Sequence, residues 1–393
     1  MAATLSGDLF VSEKSMQSSR MLYIDNLRTL VIALVIVLHV CSTYGGEDSW
    51  YYKEGHPDII TSSVLTVCTA MVGVFPMGLL FLIAGYFTPA SYEHKGTWRF
   101  LKDRLLRLGI PMLFFDFIIQ PILIYTVDVS VNGYDGTFRK MLKDYYGSFH
   151  IGTGPLWFVE ALLIFTLVYV LWKQVVCPAA KSGHNNIQFP SSLSIAAFAV
   201  VLGVVTFAVR IWFPMGWTFE PLNLQLAFFP QYICLFVVGA VAYRHNWLAQ
   251  IPNAMGRFWQ GISIVFIIVL LPVLFFFGGA ANNNISPYLG GLHWQCLAFT
   301  LWEQFLAIAM IIALLVFFHE KLNHQARLAK EMSAGAYTVY IIHSPVLVFL
   351  TLAIRNIDFY PLLKFTAVVF VTVPLCFAIG GFIRRLPLSQ RIL

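Results

Sequence analysis

The chain has 393 residues, of which 59% are hydrophobic and only 11% are charged. Because soluble domains carry about a quarter charged residues, this composition excludes a soluble globular protein and indicates a polytopic membrane protein. The net charge of +6 is modest, and we expect no nucleic-acid partner. The six cysteines show neither paired nor CxxC spacing, so we predict no disulfide framework and no metal site.

The predicted elements are apolar stretches long enough to cross a bilayer as helices. Residues 1–20 precede them and are predicted to be a disordered cytoplasmic tail, followed by a single transmembrane domain over 21–393. We therefore expect an all-α fold with about ten transmembrane helices in one bundle. The ten stretches are 27–44, 64–88, 109–127, 155–173, 192–213, 226–244, 258–279, 296–318, 335–354 and 362–383.

The distribution of lysine and arginine predicts the orientation of these helices. When the N-terminus is placed in the cytoplasm, most of the Lys and Arg residues fall in the cytoplasmic connections. Cytoplasmic loops of membrane proteins carry such an excess of positive charge. We therefore predict that both termini are cytoplasmic and that the chain is a multi-pass protein of the cell's inner membrane.

The first apolar helix, within Tyr23–Thr43, carries two ionisable residues on one face. Arg28 and His39 are eleven residues apart, which is about three helical turns and about 16 Å along the axis. If the helix starts near Leu27 at a membrane surface, His39 lies roughly 18 Å deep, where an ionisable group indicates function. Asp25, at i,i+3, could hold the Arg28 guanidinium. The alternative is a packing histidine and an ordinary positive-inside anchor.

The connection between the second and third stretches is the most basic part of the chain. Arg104 and Arg107 share a helical face at i,i+3, and the forked donors of arginine suit a phosphate group. With Arg28 at the same membrane face, these residues predict a nucleotide-phosphate ligand that enters from the cytoplasm. Alternatively, they are positive-inside anchors.

A second histidine lies inside the ninth stretch. His343 is about eight residues from the predicted cytoplasmic end of its helix, and so about 12 Å deep. Ser344 and Pro345 follow it, and the proline disrupts the backbone hydrogen bonds locally. His343 is therefore either a functional group or a histidine that packs between helices.

Carboxylates and aromatic rings are predicted on the outer side. Glu160 follows Trp157 near the outer end of the fourth stretch, and Glu303 lies in the eighth. Asp116 and Gln120, at i,i+4, could line the same interior. Rings that stack on a sugar and carboxylates that bind its hydroxyls predict an acceptor site at Trp157, Glu160 and Glu303, although an interfacial aromatic belt is the alternative. The other aromatic residues expected nearby are Trp217, Tyr232, Tyr288, His293, Trp294 and Trp302.

No GxSxG, HExxH or Walker motif is present in the sequence, so His39 is the candidate base acting directly on a bound acceptor.

The pattern D-x-x-R, followed after ten residues by His, resembles the opening helix of the integral-membrane acyltransferase 3 family. Four further blocks resemble that family in the same order. They are FLIAGYF at 81–87, RLLRLGIPML at 104–113, GPLWFV at 154–159 and YTVYIIHSPV at 337–346.

Together the five blocks run from residue 23 to residue 346 and cover nearly the whole membrane domain. They look most like the branch that succinylates osmoregulated periplasmic glucans. They are less similar to the O-antigen branch, which has WSLSVEE where this chain has WFVE at 157–160.

The resemblance implies transfer of an acetyl or succinyl group from cytoplasmic acyl-CoA, as co-substrate, to a glycan hydroxyl on the outer side, with no permanently bound cofactor. It implies that Arg28, Arg104 and Arg107 hold the phosphates of the donor. His39 would remove the acceptor proton, and His343 would orient groups or stabilise an oxyanion. Tyr86, in the second block, is predicted to have an orienting role.

Two other classes of protein stay open at this stage. A proton-coupled transporter or exporter could use Arg28, His39 and Glu303 as a relay, although the sequence contains no obvious internal repeat. A non-catalytic membrane partner or receptor is the third possibility. The apolar surface is also compatible with a homodimer.

Overall fold

The computed structural model describes residues 21–46, 50–55, 57–147, 152–176, 187–220, 222–280, 284–387, 389 and 392. The predicted disordered tail, residues 1–20, lies outside this part of the chain. The described residues form helices, with no β-structure beyond an isolated bridge between Phe219 and Leu224. The prediction of an all-α fold is therefore confirmed.

The helices are numbered here in chain order. In the described residues they are α1 Leu22–Tyr44, α2 Ile59–Gly73, α3 Pro76–Arg104, α4 Ile110–Phe114, α5 Gln120–Ser130, α6 Phe138–Gly147, α7 Trp157–Val175, α8 Ser192–Trp212, α9 Phe229–His245, α10 Asn253–Val265, α11 Leu271–Gly278, α12 Ser286–Leu289, α13 Trp294–Lys321, α14 Arg327–Ala353 and α15 Pro361–Arg384. Three π-helical turns join neighbouring helices, at Leu105–Gly109, Phe115–Ile119 and Phe266–Leu270.

Nine helical segments of the described residues are long and apolar enough to cross a membrane. One segment, Ile59–Ser130, contains two of the ten predicted stretches, and each of the other eight segments overlaps one. The prediction of a polytopic membrane bundle is confirmed. The cytoplasmic location of the two termini stays a prediction.

The segment Ile59–Ser130 turns sharply within α3. Gly96 has a φ of 70° and a ψ of 168° inside this helix, in a region that glycine adopts without steric cost. The rings of Tyr92 and Phe100 are 5.7 Å apart, whereas eight residues of a straight helix would separate them by about 12 Å. The second and third predicted stretches are therefore separate arms that meet at Gly96.

The second predicted stretch, 64–88, is divided between α2 and α3. Pro76 occupies the first turn of α3, a position at which a helix needs no backbone N–H. The proline also prevents α2 from continuing as one regular helix into α3. The carbonyl oxygen of Val74, at the break, accepts a hydrogen bond of 3.1 Å from the side chain of Gln231. A polar side chain from α9 thus replaces a backbone donor at the break.

Tyrosine hydroxyls stabilise the two π-helical turns between α3 and α5. Tyr337 donates to the carbonyl oxygen of Arg107 at 2.7 Å, and Tyr146 donates to that of Phe117 at 2.6 Å. Hydrocarbon provides no hydrogen bonds, so backbone groups displaced by a π turn need partners from the protein. Turns of this kind are frequent at functional sites.

Helix α1 lies at the centre of the bundle. It packs against α2, α3, α13, α14 and α15, and Leu27, Val31, Ile36 and Val40 along it are fully buried. The helix starts at Leu22, five residues before the predicted start. His39 is consequently near the far end of α1, while Arg28 is in its second turn.

Two glycines allow α3 and α9 to approach closely. A Cβ atom at Gly85 would lie 2.0 Å from the carbonyl oxygen of Phe236, and one at Gly239 would lie 2.1 Å from that of Leu82. Small residues at helix contacts in membranes permit this backbone proximity. The contact fixes the position of the FLIAGYF segment, which includes Tyr86.

Replacement of Gly85 by alanine should destabilise the bundle. The new methyl group cannot fit beside the Phe236 carbonyl unless α3 and α9 separate, and overpacking of this kind costs about 1–3 kcal/mol. The melting temperature of the detergent-solubilised protein should fall. Gly261→Ala is the matched control, because a Cβ at that position meets nothing within 4 Å. Equal melting temperatures for the two variants would contradict the packing described here.

Candidate active site

Two histidines that are far apart in the sequence lie side by side in the bundle. His39 comes from α1 and His343 from α14, and their ring centroids are 5.3 Å apart with an interplanar angle of 14°. Trp50, in the connection after α1, stacks on His39 with centroids 4.0 Å apart. These three rings form the histidine cluster.

The connection that carries Trp50 is held to the bundle at Glu54. The Glu54 carboxylate forms an ion pair with Lys364, whose side chain is buried. Lys364 also donates to the carbonyl oxygen of Ile357 at 2.9 Å, and the Glu54 backbone N–H donates to the carbonyl oxygen of Thr43 at 2.8 Å. These contacts keep Trp50 over the end of α1.

Hydrogen bonding fixes the orientation of His343. Its Nδ1 lies 2.6 Å from the carbonyl oxygen of Tyr340. A carbonyl oxygen can only accept, so the neutral ring carries its proton on Nδ1 and keeps a lone pair on Nε2. Tyr340 is itself fixed, because its hydroxyl donates to the carbonyl oxygen of Pro155. Nε2 is buried and has no hydrogen-bond partner among the described residues.

His39 is the more accessible of the two rings. Its side chain is partly exposed, whereas His343 is fully buried. Nδ1 of His39 is buried, and in the described part of the chain nothing hydrogen-bonds to it. Of the two rings, His39 therefore belongs to the residue with accessible surface, and His343 packs against it.

A polar chain leads from the histidine cluster into the loop before α7. Tyr51, next to Trp50, bonds through its hydroxyl to Oε1 of Gln120. Gln120 Nε2 in turn donates to the carbonyl oxygen of Gly152 at 2.8 Å. Gln120 is thus satisfied at both ends of its amide, and it links α5 to the connections on either side.

Two carboxylates lie close to this polar chain. Asp116 precedes Gln120 by one turn, is 4% exposed, and has an Oδ1 atom with no hydrogen-bond partner among the described residues. Glu160 is within electrostatic range of Asp116 and accepts a hydrogen bond of 2.9 Å from Thr153. Among the described residues no ion pair joins Asp116 or Glu160 to a cation, and burial of two carboxylates in this way is costly. Their burial indicates a polar ligand at this position.

The structure brings together the three arginines that the sequence predicts for donor binding. Arg104 lies within electrostatic range of both Arg107 and Arg28. The guanidinium groups of Arg28 and Arg104 each lie 5.1 Å from a phenylalanine ring centroid, Phe87 for Arg28 and Phe100 for Arg104. Arg107 is exposed at the same end of the bundle. We call this end, defined by the three arginines, the basic end.

Asp25 and Tyr86, which the sequence predicts to have orienting roles, also lie at the basic end. Asp25 forms an ion pair of 3.7 Å with Arg28. Tyr86 is 4% exposed, and its ring packs edge-on against Phe87 at 5.2 Å and against Tyr243 at 5.7 Å. Their orienting roles stay predictions.

Two of the predicted acceptor residues have their contacts with residues outside the histidine cluster. Glu303 pairs with Arg210 at 2.7 Å, and both side chains are buried. Trp157 stacks on Tyr232 with ring centroids 5.3 Å apart, so it faces α9 rather than the histidines. Only Glu160, of the three, lies beside the polar chain from Tyr51. The acceptor roles of all three residues stay predictions.

Sequence reasoning did not identify Trp50 or Arg210. Trp50 opens the aromatic run WYY at 50–52, soon after the helix that carries His39. This place in the sequence was the signal that could have identified Trp50 as part of the site. Arg210 lies in the last turn of α8 and resembles an ordinary terminal cation. Among the described residues, no group of three or more His, Cys, Asp or Glu side chains could hold a metal ion.

Comparison with known proteins gives a match along most of the chain. Residues 21–381 match a family model described as an acyltransferase domain. The chain is 24% identical over 357 residues to glucans biosynthesis protein C of Salmonella heidelberg, covering 85% of this chain and 84% of that protein. The protein of the same name from Escherichia coli O157:H7 is 23% identical over 346 residues, covering 84% and 83%. No solved structure matches the chain.

The ion pair between Arg210 and Glu303 yields a test of what Glu303 does. Glu303→Gln should destabilise the protein by about 3–5 kcal/mol, because it leaves the Arg210 cation buried without a counter-ion. Replacing both residues, as Arg210→Met with Glu303→Leu, should restore much of that stability. Thermal melting in detergent measures both effects.

Glu320→Gln is the matched control for these variants, because Glu320 lies on the same helix and is exposed. A Glu303→Gln variant as stable as the control would contradict a structural role for the pair. A stable double variant that has lost acyl transfer would instead favour the predicted role in acceptor binding.

Proposed function

The chain belongs to the acyltransferase 3 family of membrane acyltransferases, and on this premise we propose that it moves an acetyl or succinyl group from cytoplasmic acyl-CoA to a glycan hydroxyl. The acceptor is a glycan or a related envelope molecule, and the enzyme acts in the inner membrane. The family and the apolar helical segments of the described residues establish only a multi-pass membrane acyltransferase. The donor, the acceptor and the residue roles below are our proposal.

One observation carries the proposal, which is the position of His39. It is partly exposed, stacked against Trp50 and His343, and placed between the basic end and the carboxylates Asp116 and Glu160. About 16 Å of α1 separates His39 from Arg28. An extended donor bound by its phosphates at Arg28 could place its thioester near His39.

The reaction requires one base and no covalent enzyme intermediate. The imidazole of His39 takes the proton of the acceptor hydroxyl as that oxygen attacks the thioester carbonyl carbon. The tetrahedral intermediate collapses to the ester, the carbon–sulfur bond breaks, and the departing CoA sulfur receives the proton from His39. A positioned base is typically worth 10² to 10⁴ in rate, or about 3–5 kcal/mol.

His343 is proposed to position His39. With Nδ1–H engaged by the Tyr340 carbonyl, Nε2 of the neutral ring has no proton to give to an oxyanion. The stacked ring of His343 instead sets the plane of His39, much as Trp50 does from another direction. This favours the orienting role over the oxyanion role among the two that the sequence predicted.

The acceptor is proposed to approach from the carboxylate side. Glu160 and Asp116 offer oxygen atoms to sugar hydroxyls, and Trp157 is partly exposed to offer an apolar face. The name glucans biosynthesis protein C, carried by relatives at 23–24% identity, supports a carbohydrate acceptor. Glu303 contributes at most indirectly while it is paired with Arg210.

Replacement of His39 by glutamine should lower kcat by about 10² to 10⁴, because the acceptor proton then has no base. The KM for acyl-CoA should change little, since the arginines of the basic end are untouched. Transfer of radiolabelled acetyl or succinyl groups from the CoA thioester to a glucan, with purified protein in detergent, measures both constants.

His324→Gln is the control, because His324 is exposed and distant in sequence from both histidines of the cluster. A folded His39→Gln variant with the same kcat as this control would contradict the assignment of the base.

A further inference from the structure

A buried lysine lies at the end of α7, outside the site described above. Lys173 is only 7% exposed, and its ammonium lies 5.8 Å from the ring centroid of Trp172. No ion pair or hydrogen bond joins Lys173 to another described residue. A cation that has no acidic partner among the described residues can bind an anion from outside the chain.

A second cation shares the same indole ring. The guanidinium carbon of Arg244, in the last turn of α9, also lies 5.8 Å from the Trp172 ring centroid. Arg244 is partly buried and lies beside the Tyr169 side chain. The Glu93 carboxylate lies within electrostatic range of Tyr169 and Tyr243, the tyrosines next to Arg244. Two like charges on one aromatic ring repel each other, and a further anion between them lowers that repulsion. The position of Lys173 in a C-terminal helical turn is favourable on its own, but it does not explain why Arg244 comes to the same ring.

This pair of cations lies at the basic end of the bundle. Tyr243, adjacent to Arg244 in sequence, packs against Tyr86 at 5.7 Å, and Tyr86 in turn packs against Phe87 beneath Arg28. On the other side, Tyr169 packs against Tyr92 at 5.8 Å.

The contacts continue from Tyr92 to Phe100, at 5.7 Å, and the Arg104 guanidinium lies over the Phe100 ring. Aromatic side chains therefore separate two cationic pairs, namely Arg28 with Arg104 and Lys173 with Arg244. Aromatic faces can stack on a nucleotide base, and the cations can bind its phosphates.

We propose that Lys173 and Arg244 bind the 3′-phosphate of the CoA donor, while Arg28 and Arg104 bind its diphosphate. Coenzyme A carries these two phosphate centres on the two sides of an adenosine ribose, and the mouth of the bundle offers two cationic pairs with aromatic rings between them. The proposal rests on the proposed function, in which acyl-CoA is the donor. The phosphate of a lipid headgroup has the same chemistry and is the competing ligand.

The test compares CoA with 3′-dephospho-CoA, which differs only in the absence of the 3′-phosphate. Titration calorimetry on the full-length protein in detergent gives Kd for each ligand. Wild type should bind CoA about tenfold or more tightly than dephospho-CoA, the value of a charge-assisted contact. The Lys173→Met and Arg244→Met variants should no longer distinguish the two ligands. Each should bind CoA and dephospho-CoA with the Kd that wild type has for dephospho-CoA.

Three other variants make the result specific. Lys173→Arg keeps the charge and should retain the preference for CoA. Arg28→Met should raise the Kd of both ligands by the same factor and leave the ratio of the two Kd values unchanged. Arg257→Met removes an exposed cation of α10 and should change neither value. Because the ratio compares two ligands on the same sample, partial misfolding of a variant cancels out of it.

The outcomes separate this inference from the function on which it rests. If wild type binds CoA but Lys173→Met keeps the wild-type ratio, the 3′-phosphate site is wrong and the CoA donor stands. If Lys173→Met keeps that ratio but loses phosphatidylglycerol detected by native mass spectrometry, the pair is a lipid-headgroup site and the inference is again wrong. If wild type binds neither nucleotide, the proposed donor fails, and this inference fails with it.

Discussion

Hydrocarbon cannot hydrogen-bond to a polar group, and the bundle is arranged around this constraint. The Arg210 cation is paired with Glu303. Carbonyl oxygens in two of the π-helical turns accept from tyrosine hydroxyls, and that of Phe266 in the third accepts from the indole N–H of Trp302. Some buried hydroxyls and indoles have no hydrogen-bond partner in the described part of the chain, but a neutral hydroxyl costs less to bury than an ionisable group. His39, His343 and Asp116 are ionisable, and each has an atom without a hydrogen-bond partner among the residues that the structure describes. These atoms lie near one another or near the same polar chain.

Chemically distinct regions follow one another along the bundle. The basic end has Arg28 and Arg104 over phenylalanine rings, and the histidine cluster lies about three helical turns further along α1. Beyond the cluster, Tyr51 and Gln120 lead towards Asp116 and Glu160. An anionic donor and a hydroxyl-bearing acceptor would therefore meet at His39 from opposite directions. This order explains why a single accessible base suffices for the proposed reaction.

The helical fold was predictable because apolar length is a strong signal in a membrane protein. Single-residue backbone effects were harder to predict. Pro76 divides a stretch that is apolar throughout. Helix α1 extends to Leu22 because Asp25 is favourable in the first turn and the Asn26 side chain donates to the carbonyl oxygens of Leu322 and His324. In the site, Arg28 and His39 share a face through helical periodicity alone. His343 and Trp50 reach His39 only through tertiary packing, which no local pattern encodes.

The sequence also did not predict which charged residues would pair across helices. Glu303 looked available for an acceptor because its counter-ion, Arg210, is 93 residues away in the chain and lies in another helix. Lys173 and Arg244 likewise belong to different helices and share only the Trp172 ring. Pairing across helices depends on their packing angles and rotations. The sequence pattern of each helix by itself leaves these undetermined.

The most direct test of the account is an electron cryo-microscopy structure of the protein with bound CoA. The central claim is that a donor held at the basic end presents its sulfur atom to His39. We expect the diphosphate of CoA beside Arg28 and Arg104, and the thiol close to the His39 ring and inside the bundle. CoA bound with its thiol remote from His39, or at another surface of the protein, would contradict the claim.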